Sequence, residues 1–259
     1  MCPICCLKEG CLIHKGSRME KHFIREVHDP AFPMACYCNK KLQDSKKLID
    51  PEGKVDRIVV FGCGGHARSI INTIYQTYDV TDILLVDIDV REGEMIFGCK
   101  TMRNYDLHEN DAFIVAVGDN NKRKNLYVKL LKNSKGCSIS IVSRSAEIGI
   151  DAEMGYGTFI APYAYMGPQA RVGNNTIINT GSIIEHETVI GDHVHIAPHA
   201  TVCGRSKVGN NVFCGAGSTI IDQISVCDDV VIGAGAVVTK DIVVSGTYIG
   251  IPAQRVDST

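Results

Sequence analysis

The chain has 259 residues, 45% of them apolar, and its 27 basic and 29 acidic residues nearly balance to a net charge of −2. This length and apolar content suffice for a substantial core and one to three domains, which excludes a disordered tail. Because no basic block, membrane-length apolar run or signal peptide is found, we expect no nucleic acid, no membrane insertion and a cytoplasmic location.

The first 54 residues are set apart by their cysteines. Six of the twelve lie there, at positions 2, 5, 6, 11, 36 and 38. Cys2 and Cys5 have the C-x-x-C spacing of metal ligands, but Cys36 and Cys38 are one residue too close to form a second pair. We therefore favour an appendage over residues 1–54, in part a translated leader before a start at Met19, over a small metal knuckle.

Residues 55–147 predict one α/β unit. A strand at Ile58–Phe61 is followed by a glycine turn at residues 62–67 with G-x-G-x-x-A spacing and a helix over residues 68–78. In such a turn the glycines let the backbone approach a phosphate, and the helix start offers free N–H groups. A second strand, Ile83–Val86, ends in Asp87, about twenty residues after the glycines, where a carboxylate can bind a ribose hydroxyl.

The second half of this unit has a third strand at Ala112–Val117, the loop Gly118–Asn120, a helix over residues 122–132 and a fourth strand at Ser138–Val142. An NAD-dependent oxidoreductase would need two such nucleotide-binding halves, and the chain instead turns into a repeat. The unit therefore predicts a site for one nucleotide. His66, in the glycine turn, either binds a phosphate or is a solvated residue at the helix start.

Residues 148–243 carry a six-residue repeat. Every sixth residue from Ile148 to Val238 is apolar, through sixteen consecutive hexads, and the residue after it is often glycine. Two residues apart on a strand share a face, so each hexad sends one small and one larger side chain inward, with a bend between strands. The repeat predicts a parallel β-helix, with residues 244–259 as a C-terminal tail.

Four of the nine histidines fall within fourteen residues of this repeat, at His186, His193, His195 and His199. None occupies an inward hexad position, and imidazoles near neutral pH are candidates for proton transfer. We expect His193 and His199 to be solvated surface residues. If three hexads make a coil, His186 stacks over Gly204, and a base beside a side-chain-free N–H suits acyl transfer.

Several short motifs together resemble the sugar O-acyltransferase family, which includes sialic acid O-acetyltransferases and bacterial nucleotide-4-amino-sugar N-acetyltransferases. They are Gly64-Gly65-His66, Gly118-Asp119-Asn120 with Arg123, Asn179 to Glu187, His195, Gly233 to Asp241, and Gly250-Ile251-Pro252-Ala253. The resemblance covers about residues 57–256. It implies a left-handed, triangular β-helix, a homotrimer with acetyl-CoA in the groove between β-helices, and no metal. Ile251 replaces the asparagine usual in the family's ending.

Site roles follow from the resemblance by position. His186 would be the general base, Glu187 the carboxylate that orients it, and the Gly204 N–H would face the thioester carbonyl. The residues implied for acetyl-CoA are His195, Gly204, Gly233, Ala234, Gly235 and Lys240. Those implied for the nucleotide-sugar acceptor are Gly64, Gly65, His66, Asp87, Gly118, Asp119 and Asn120, with Glu185 near the sugar.

The sequence therefore predicts an acetyltransferase that moves acetyl from acetyl-CoA to the amine of a nucleotide-linked 4-amino-deoxy sugar, in surface glycan biosynthesis. One alternative is a sialic acid O-acetyltransferase. Two others differ in class: a non-catalytic nucleotide-binding scaffold, and a γ-carbonic-anhydrase-like zinc enzyme, which uses the same β-helix with three histidines on zinc.

Overall fold

The computed structural model describes residues 57–256, apart from residues 79, 81, 92 and 134. The cysteine-rich segment over residues 1–54 lies outside the described residues. Within residues 57–256, an α/β domain is followed by a parallel β-helix. None of the helices described there is both long and apolar enough to span a bilayer.

The α/β domain contains a six-stranded sheet with a helix on each side. Its elements are β1 (Arg57–Phe61), α1 (Gly65–Thr77), β2 (Ile83–Val86), β3 (Met95–Ile96), β4 (Cys99–Met102), β5 (Asp111–Val115), α2 (Asn120–Asn133) and β6 (Cys137–Ser138). The strand order is β3-β4-β2-β1-β5-β6, and only the β3–β4 pair is antiparallel. The central strands are buried on both faces and rich in Ile and Val, as parallel sheets require.

Two features of this domain differ from the sequence prediction. The β3–β4 hairpin was not predicted; its turn residues Phe97 and Gly98 both have positive φ, 49° and 78°, as in a type I′ turn. The single strand expected over Ser138–Val142 is in fact two: β6 pairs with β5, whereas β7 (Ile141–Val142) pairs with the β-helix strand β10 (Phe159–Ile160). Both strands are short, and the apolar pattern alone does not separate them.

The β-helix has three flat faces of parallel strands. Face 1 contains β7, β10, β13 (Ile177–Ile178), β16 (His195–Ile196), β19 (Phe213–Cys214), β22 (Val230–Ile232), β24 (Gly246–Ile249) and β25 (Gln254–Val256). Face 2 contains β8 (Glu147–Ile148), β11 (Tyr165–Met166), β14 (Ile183–Ile184), β17 (Thr201–Val202), β20 (Thr219–Ile220) and β23 (Val237–Val238). Face 3 contains β9 (Glu153–Met154), β12 (Arg171–Val172), β15 (Val189–Ile190), β18 (Lys207–Val208) and β21 (Ser225–Val226).

The sixteen predicted hexads are thus sixteen strands, and the pairing register is eighteen residues, or three hexads, per coil. The last residue of each hexad strand points inward, and together with small residues such as Ala200 these side chains form one continuous core. The predicted tail is partly regular: β24 extends face 1 in parallel beyond β22, and β25 pairs back on it antiparallel. This hairpin covers the last coil, whose strand edges would otherwise be open.

The α/β domain packs on the outer side of face 1. Outward residues of this face, among them Phe159 and Ile177, join the apolar cluster beneath α1. The Arg123 side chain on α2 is 1% exposed and connects the two domains. Its guanidinium donates hydrogen bonds to the carbonyls of residues 175, 193 and 194 in the β-helix, and to those of residues 117 and 118 in the α/β domain. These bonds fix the position of the Gly118 loop relative to the β-helix.

Candidate active site

The predicted base lies at the corner between faces 2 and 3, hereafter the 2–3 corner. His186 follows β14, and residues eighteen apart occupy the same place in successive coils, so His186, Gly204, Asp222 and Lys240 form one column. A Cβ added at Gly204 would lie 2.6 Å from Cε1 and 2.7 Å from Nε2 of His186. The imidazole therefore occupies the space that a side chain at Gly204 would fill.

Two carboxylates next to His186 in sequence hold its position. Nδ1 of the ring is 3.2 Å from Oε2 of Glu187, and Oε2 of Glu185 accepts a hydrogen bond from the His186 main-chain N–H at 3.3 Å. A carboxylate only accepts, so it favours the tautomer with the proton on Nδ1 and leaves the Nε2 lone pair free. Glu187 can face the ring because it adopts a left-handed conformation, with φ of 57°.

The N–H of Gly204 makes no hydrogen bond to any described residue. Equivalent N–H groups at the corner between faces 3 and 1 are capped by a side chain one coil above: those of Asn174, Asp192 and Asn210 donate to Asp192, Asn210 and Asp228. Gly204 thus combines an unpaired donor with the free nitrogen of a base, which is the arrangement that stabilises a tetrahedral oxyanion and removes a proton.

The second region is a cleft between the carboxyl edge of the α/β sheet and face 1. β1 and β5 are neighbours, so the glycine turn and the Gly118 loop meet at this edge. Gly62 has φ of +119° and an added Cβ would be 2.7 Å from the Ala116 carbonyl oxygen, so the first turn position requires glycine. An added Cβ at Gly64 or Gly65 would meet open space.

The start of α1 has no side-chain cap. Its first turn contains no acidic residue, and the N-cap residue Gly64 offers no side-chain hydrogen bond to the free N–H groups. Unpaired N–H groups and the helix dipole favour a negatively charged group there, such as a phosphate.

Asp87 supports the glycine turn from the end of β2. Its Oδ2 accepts a hydrogen bond from the Cys63 N–H at 2.8 Å, and its Oδ1 accepts one from the Asp89 N–H at 3.1 Å. The sequence predicted this carboxylate as a ribose ligand. In the structure the Asp87 side chain also has a structural role, because it holds the glycine turn in place.

The Gly118 loop has two structural side chains. Asp119 caps α2, since its Oδ1 accepts the Lys122 N–H at 2.8 Å. Asn120 is 9% exposed; its Nδ2 donates to the Val212 carbonyl, and its Oδ1 accepts from Arg123. Of the three residues predicted here for acceptor binding, Asn120 therefore has both side-chain polar atoms occupied within the chain.

His195 lies in this cleft, with both ring nitrogens hydrogen-bonded. Nδ1 is 3.2 Å from the Gly118 carbonyl and Nε2 is 3.1 Å from Nδ2 of Asn179. The Asn179 Oδ1 accepts the Thr180 N–H, so its amide nitrogen faces the ring; His195 is neutral and carries its proton on Nδ1. Burial, aided by the charge of Arg123, lowers the pKa of His195 to about 4.

His66 packs beside His195. Of the two alternatives that the sequence left open for His66, a solvated residue at the helix start is wrong. The ring contacts Phe159 edge-on, and its Nε2 is buried without a hydrogen-bond partner among the described residues. Burial, with lesser effects of His195 and Arg123, lowers the pKa of His66 to about 3. The cleft beside His195 and the Gly118 loop has a volume of about 510 Å³, and Phe213 and Val231 line it on the side of face 1.

The remaining predicted residues lie elsewhere on the prism. Gly233, Ala234 and Gly235 form the corner between faces 1 and 2, after β22, whereas the exposed Lys240 belongs to the column of His186. His193, expected to be solvated, is largely enclosed: its Nδ1 contacts Asn175, and burial lowers its pKa to about 4. His199 is exposed, as predicted.

The four clustered histidines therefore do not converge. They lie at three different corners and on face 1, and within the described ranges no group of three His, Cys, Asp or Glu side chains is arranged to hold a metal ion. The sequence reasoning missed the structural role of Arg123 and the presence of Asp222 in the His186 column. The eighteen-residue register could have identified Asp222, since it follows Gly204 by one coil.

Comparison with known proteins agrees with this architecture. The model of the PglD N-terminal domain matches residues 57–130, and that of the bacterial transferase hexapeptide with six repeats matches residues 170–204. The acetyltransferase domain of PglB from Neisseria gonorrhoeae FA1090 is similar at 25% identity with a TM-score of 0.71, over 77% of this chain and 99% of that one. A complex of that domain with acetyl coenzyme A has a TM-score of 0.70.

A third similar structure is PerB from Caulobacter crescentus in complex with CoA and GDP-perosamine. It is 25% identical, with a TM-score of 0.67 over 78% of this chain and 98% of that one. One matched family lies in the α/β domain and the other in the β-helix, and each similar structure covers both domains. The chain therefore has a PglD-type N-terminal domain followed by a hexapeptide-repeat β-helix, the architecture of these sugar acetyltransferase structures.

Proposed function

We propose that this protein transfers an acetyl group from acetyl-CoA to the primary amine of a nucleotide-linked 4-amino-deoxy sugar, with His186 as general base. Its similarity to the PglB acetyltransferase domain and to PerB supports an acetyl-CoA-dependent sugar acetyltransferase; the amine and the role of His186 are the proposal. The observation that carries it is the contact between the His186 ring and Gly204, whose N–H is unpaired among the described residues.

The chemistry follows from these two groups. Nε2 of His186 takes a proton from the acceptor nitrogen as the C–N bond to the thioester carbonyl forms, and the Gly204 N–H stabilises the oxyanion. When the C–S bond breaks, the protonated imidazole returns the proton to the thiolate of CoA. The carboxylate of Glu187 favours the Nδ1–H tautomer and stabilises the imidazolium that forms in between.

The acceptor's nucleotide would lie along the carboxyl edge of the α/β sheet. The start of α1 offers free N–H groups to a phosphate and Asp87 holds the glycine turn, while Phe213, in the cleft beside the Gly118 loop, provides an apolar surface. Binding energy from the nucleotide would orient the sugar at the base. An amine is favoured over a hydroxyl because a hydroxyl is a much weaker acid, which demands more of an imidazole base. PerB, bound to CoA and GDP-perosamine, is similar over most of this chain.

A complete site needs two chains. The acceptor cleft lies on face 1, whereas His186 lies at the corner between the other two faces, on the opposite side of the same prism. A homotrimer would bring the 2–3 corner of one chain to the cleft of its neighbour. The outward side chains of face 2 suit such packing, since from Tyr165 through Ile183, Thr201 and Thr219 to Val237 none is charged.

In such a trimer, acetyl-CoA would lie between neighbouring β-helices. Lys240 at the 2–3 corner and Gly233 to Gly235 at the corner between faces 1 and 2 border face 2 on either side. Acetyl-CoA can contact a ring nitrogen of His195 only by displacing a hydrogen bond that is already present. Both ring nitrogens are bonded within the chain, so acetyl-CoA would have to replace the hydrogen bond from Asn179.

The acceptor class is tested by following free thiol release from acetyl-CoA with UDP-, GDP- and dTDP-linked 4-amino-6-deoxy sugars beside sialic acid. We expect turnover with one or more of the amines. Turnover of sialic acid alone would reject the amine acceptor and retain the acetyltransferase. Stoichiometric binding of acetyl-CoA without turnover of any acceptor would favour the nucleotide-binding scaffold, and a tightly bound zinc would favour the anhydrase-like alternative.

The shared site is tested by complementation. His186→Ala should be inactive through the base, and Gly118→Trp through obstruction of the acceptor cleft. Chains of the two variants, unfolded together and refolded as mixed trimers, should recover activity, because some sites then combine an intact base with an intact cleft. Each variant refolded alone is the control. Absence of recovery in trimers proved to be mixed would indicate that both parts of a site come from one chain.

A further inference from the structure

Asp222 extends the His186 column beyond Gly204. A Cβ added at Gly204 would lie 2.7 Å from Nε2 of His186 and 3.1 Å from Oδ1 of Asp222. Both atoms therefore face the same space, with no side chain of residue 204 between them. They lie close enough for a single nitrogen to be hydrogen-bonded to both, at about 2.8–3.0 Å each.

The carboxylate of Asp222 is held in a fixed orientation. Its Oδ2 accepts hydrogen bonds from Nη2 of Arg205 at 2.8 Å and from Nε2 of Gln223 at 2.7 Å. Both donors engage the same oxygen, and Oδ1 remains directed toward Gly204 and His186. The hydrogen bonds to Gln223 and Arg205 lower the pKa of Asp222, so that it is an anion at neutral pH.

We propose that Oδ1 of Asp222 binds the acceptor's ammonium group beside Nε2 of His186, and that it is a determinant of specificity for an amine over a hydroxyl. This inference rests on the proposed amine acceptor. An amino sugar reaches the site mainly as its ammonium form, and the carboxylate accepts a hydrogen bond from one of its N–H groups. The ammonium loses one proton to solvent, His186 takes the next as the nitrogen attacks the thioester and returns it to the thiolate, and the overall reaction releases the amide, the free thiol and one proton.

A hydroxyl group at the same carbon gains less from Asp222. It carries no charge, and it has a single hydrogen, which cannot be donated to Asp222 and to His186 at once. The hydrogen bond of an ammonium to a carboxylate is charge-assisted and therefore stronger than that of a neutral group. Because Asp222 is exposed and also bound by Arg205, we expect a modest preference in affinity, about tenfold.

Calorimetric titration in the presence of CoA tests this directly. The UDP-, GDP- and dTDP-linked 4-amino-6-deoxy sugars and their 4-hydroxy counterparts are titrated into the wild type and Asp222→Asn. In the series that supports turnover, the wild type should bind the amine about tenfold more tightly than the alcohol, and Asp222→Asn should lose that preference with unchanged affinity for the alcohol. Glu153→Gln, which breaks an exposed pair with Arg171 on face 3, is the matched control and should retain the preference.

The outcomes separate this inference from the function on which it rests. If amines are acetylated but Asp222→Asn keeps the full preference, the ammonium site is wrong and the acetyltransferase stands. An increase in the KM for acetyl-CoA alone would make Asp222 a donor contact instead, and a rise in kcat would mean that its charge opposes the oxyanion. If the wild type acetylates sialic acid and no amine, both proposals fail.

Discussion

The ring of His186 covers the α-carbon of Gly204, one coil further along the β-helix, with Nε2 2.7 Å from the position that a Cβ would take. A side chain and the imidazole cannot both occupy this space. Glycine at residue 204 therefore leaves the space that the imidazole occupies. This contact makes the proposed role of His186 testable by a substitution at residue 204.

We expect Gly204→Ala to lower kcat by roughly 10²–10³, because the methyl group displaces the imidazole from Glu187. The decisive measurement is the double variant with His186→Ala. Since the alanine acts through His186, the double variant should be within about threefold of His186→Ala alone. Multiplicative losses would show that the methyl group harms the reaction independently of the base.

For the base itself, we expect His186→Ala to lower kcat by roughly 10²–10⁴ while the affinity for acetyl-CoA stays near that of the wild type. Glu187→Gln should cost less, about tenfold, since the amide still contacts Nδ1 but carries no charge. His199→Ala removes an exposed histidine at another corner and is the control. A His186→Ala enzyme within threefold of wild-type kcat would show that another group is the base.

The repeat could be predicted from the sequence because every hexad places an inward apolar residue at the same position. The inward residue of every strand from Ile148 to Val238 packs on the equivalent residues one coil away, so a single rule determines both strand position and register. The same rule brought His186 to Gly204. The rule did not identify the strand at Ile141, which belongs to the β-helix although the repeat was predicted to begin at Ile148. A two-residue strand has too short a pattern to show which sheet it joins.

The junction between domains could not be predicted in this way. Arg123 lies in a helix with ordinary basic spacing, and nothing in its neighbours indicates that its guanidinium is buried against carbonyls seventy residues away. Likewise, no sequence pattern predicts that His66 and His195 pack together, with their ring centroids 6.3 Å apart. Contacts between domains depend on three-dimensional packing, which local periodicity does not encode.

Arg123 also leads to a prediction of stability. Burial lowers its pKa to about 9, yet each nitrogen of its guanidinium donates to an oxygen of the junction. Arg123→Met leaves several buried carbonyls without donors, and we expect the free energy of unfolding to fall by roughly 3 kcal/mol or more, measured by urea titration.

Arg171→Met is the matched control, because Arg171 makes only an exposed ion pair with Glu153 at 3.6 Å. It should change the free energy of unfolding by less than about 1 kcal/mol. Equal effects of the two substitutions would contradict the role assigned to Arg123 at the junction.

The buried histidines predict how stability changes with pH. His66, His193 and His195 have folded-state pKa values lowered to about 3, 4 and 4, chiefly by burial. In the unfolded chain a histidine binds its proton near pH 6.5, so below that pH the unfolded state takes up protons that the folded state does not. The stabilisation is complete above pH 6.5 and is lost as the pH falls toward the folded values. Each histidine should contribute a loss of about 1 kcal/mol at pH 5.5.

His66 provides the sharpest test, because its buried Nε2 has no partner to lose among the described residues. Calorimetric unfolding between pH 7.5 and 5.5, above the range in which ordinary carboxylates titrate, should show a falling Tm for the wild type and a smaller fall for His66→Leu. Since leucine keeps an apolar contact with Phe159 and binds no proton, the variant should gain on the wild type as the pH falls. The exposed His199→Ala should retain the wild-type slope. Parallel curves for wild type and His66→Leu would mean that His66 protonates as readily in the folded protein as in the unfolded chain.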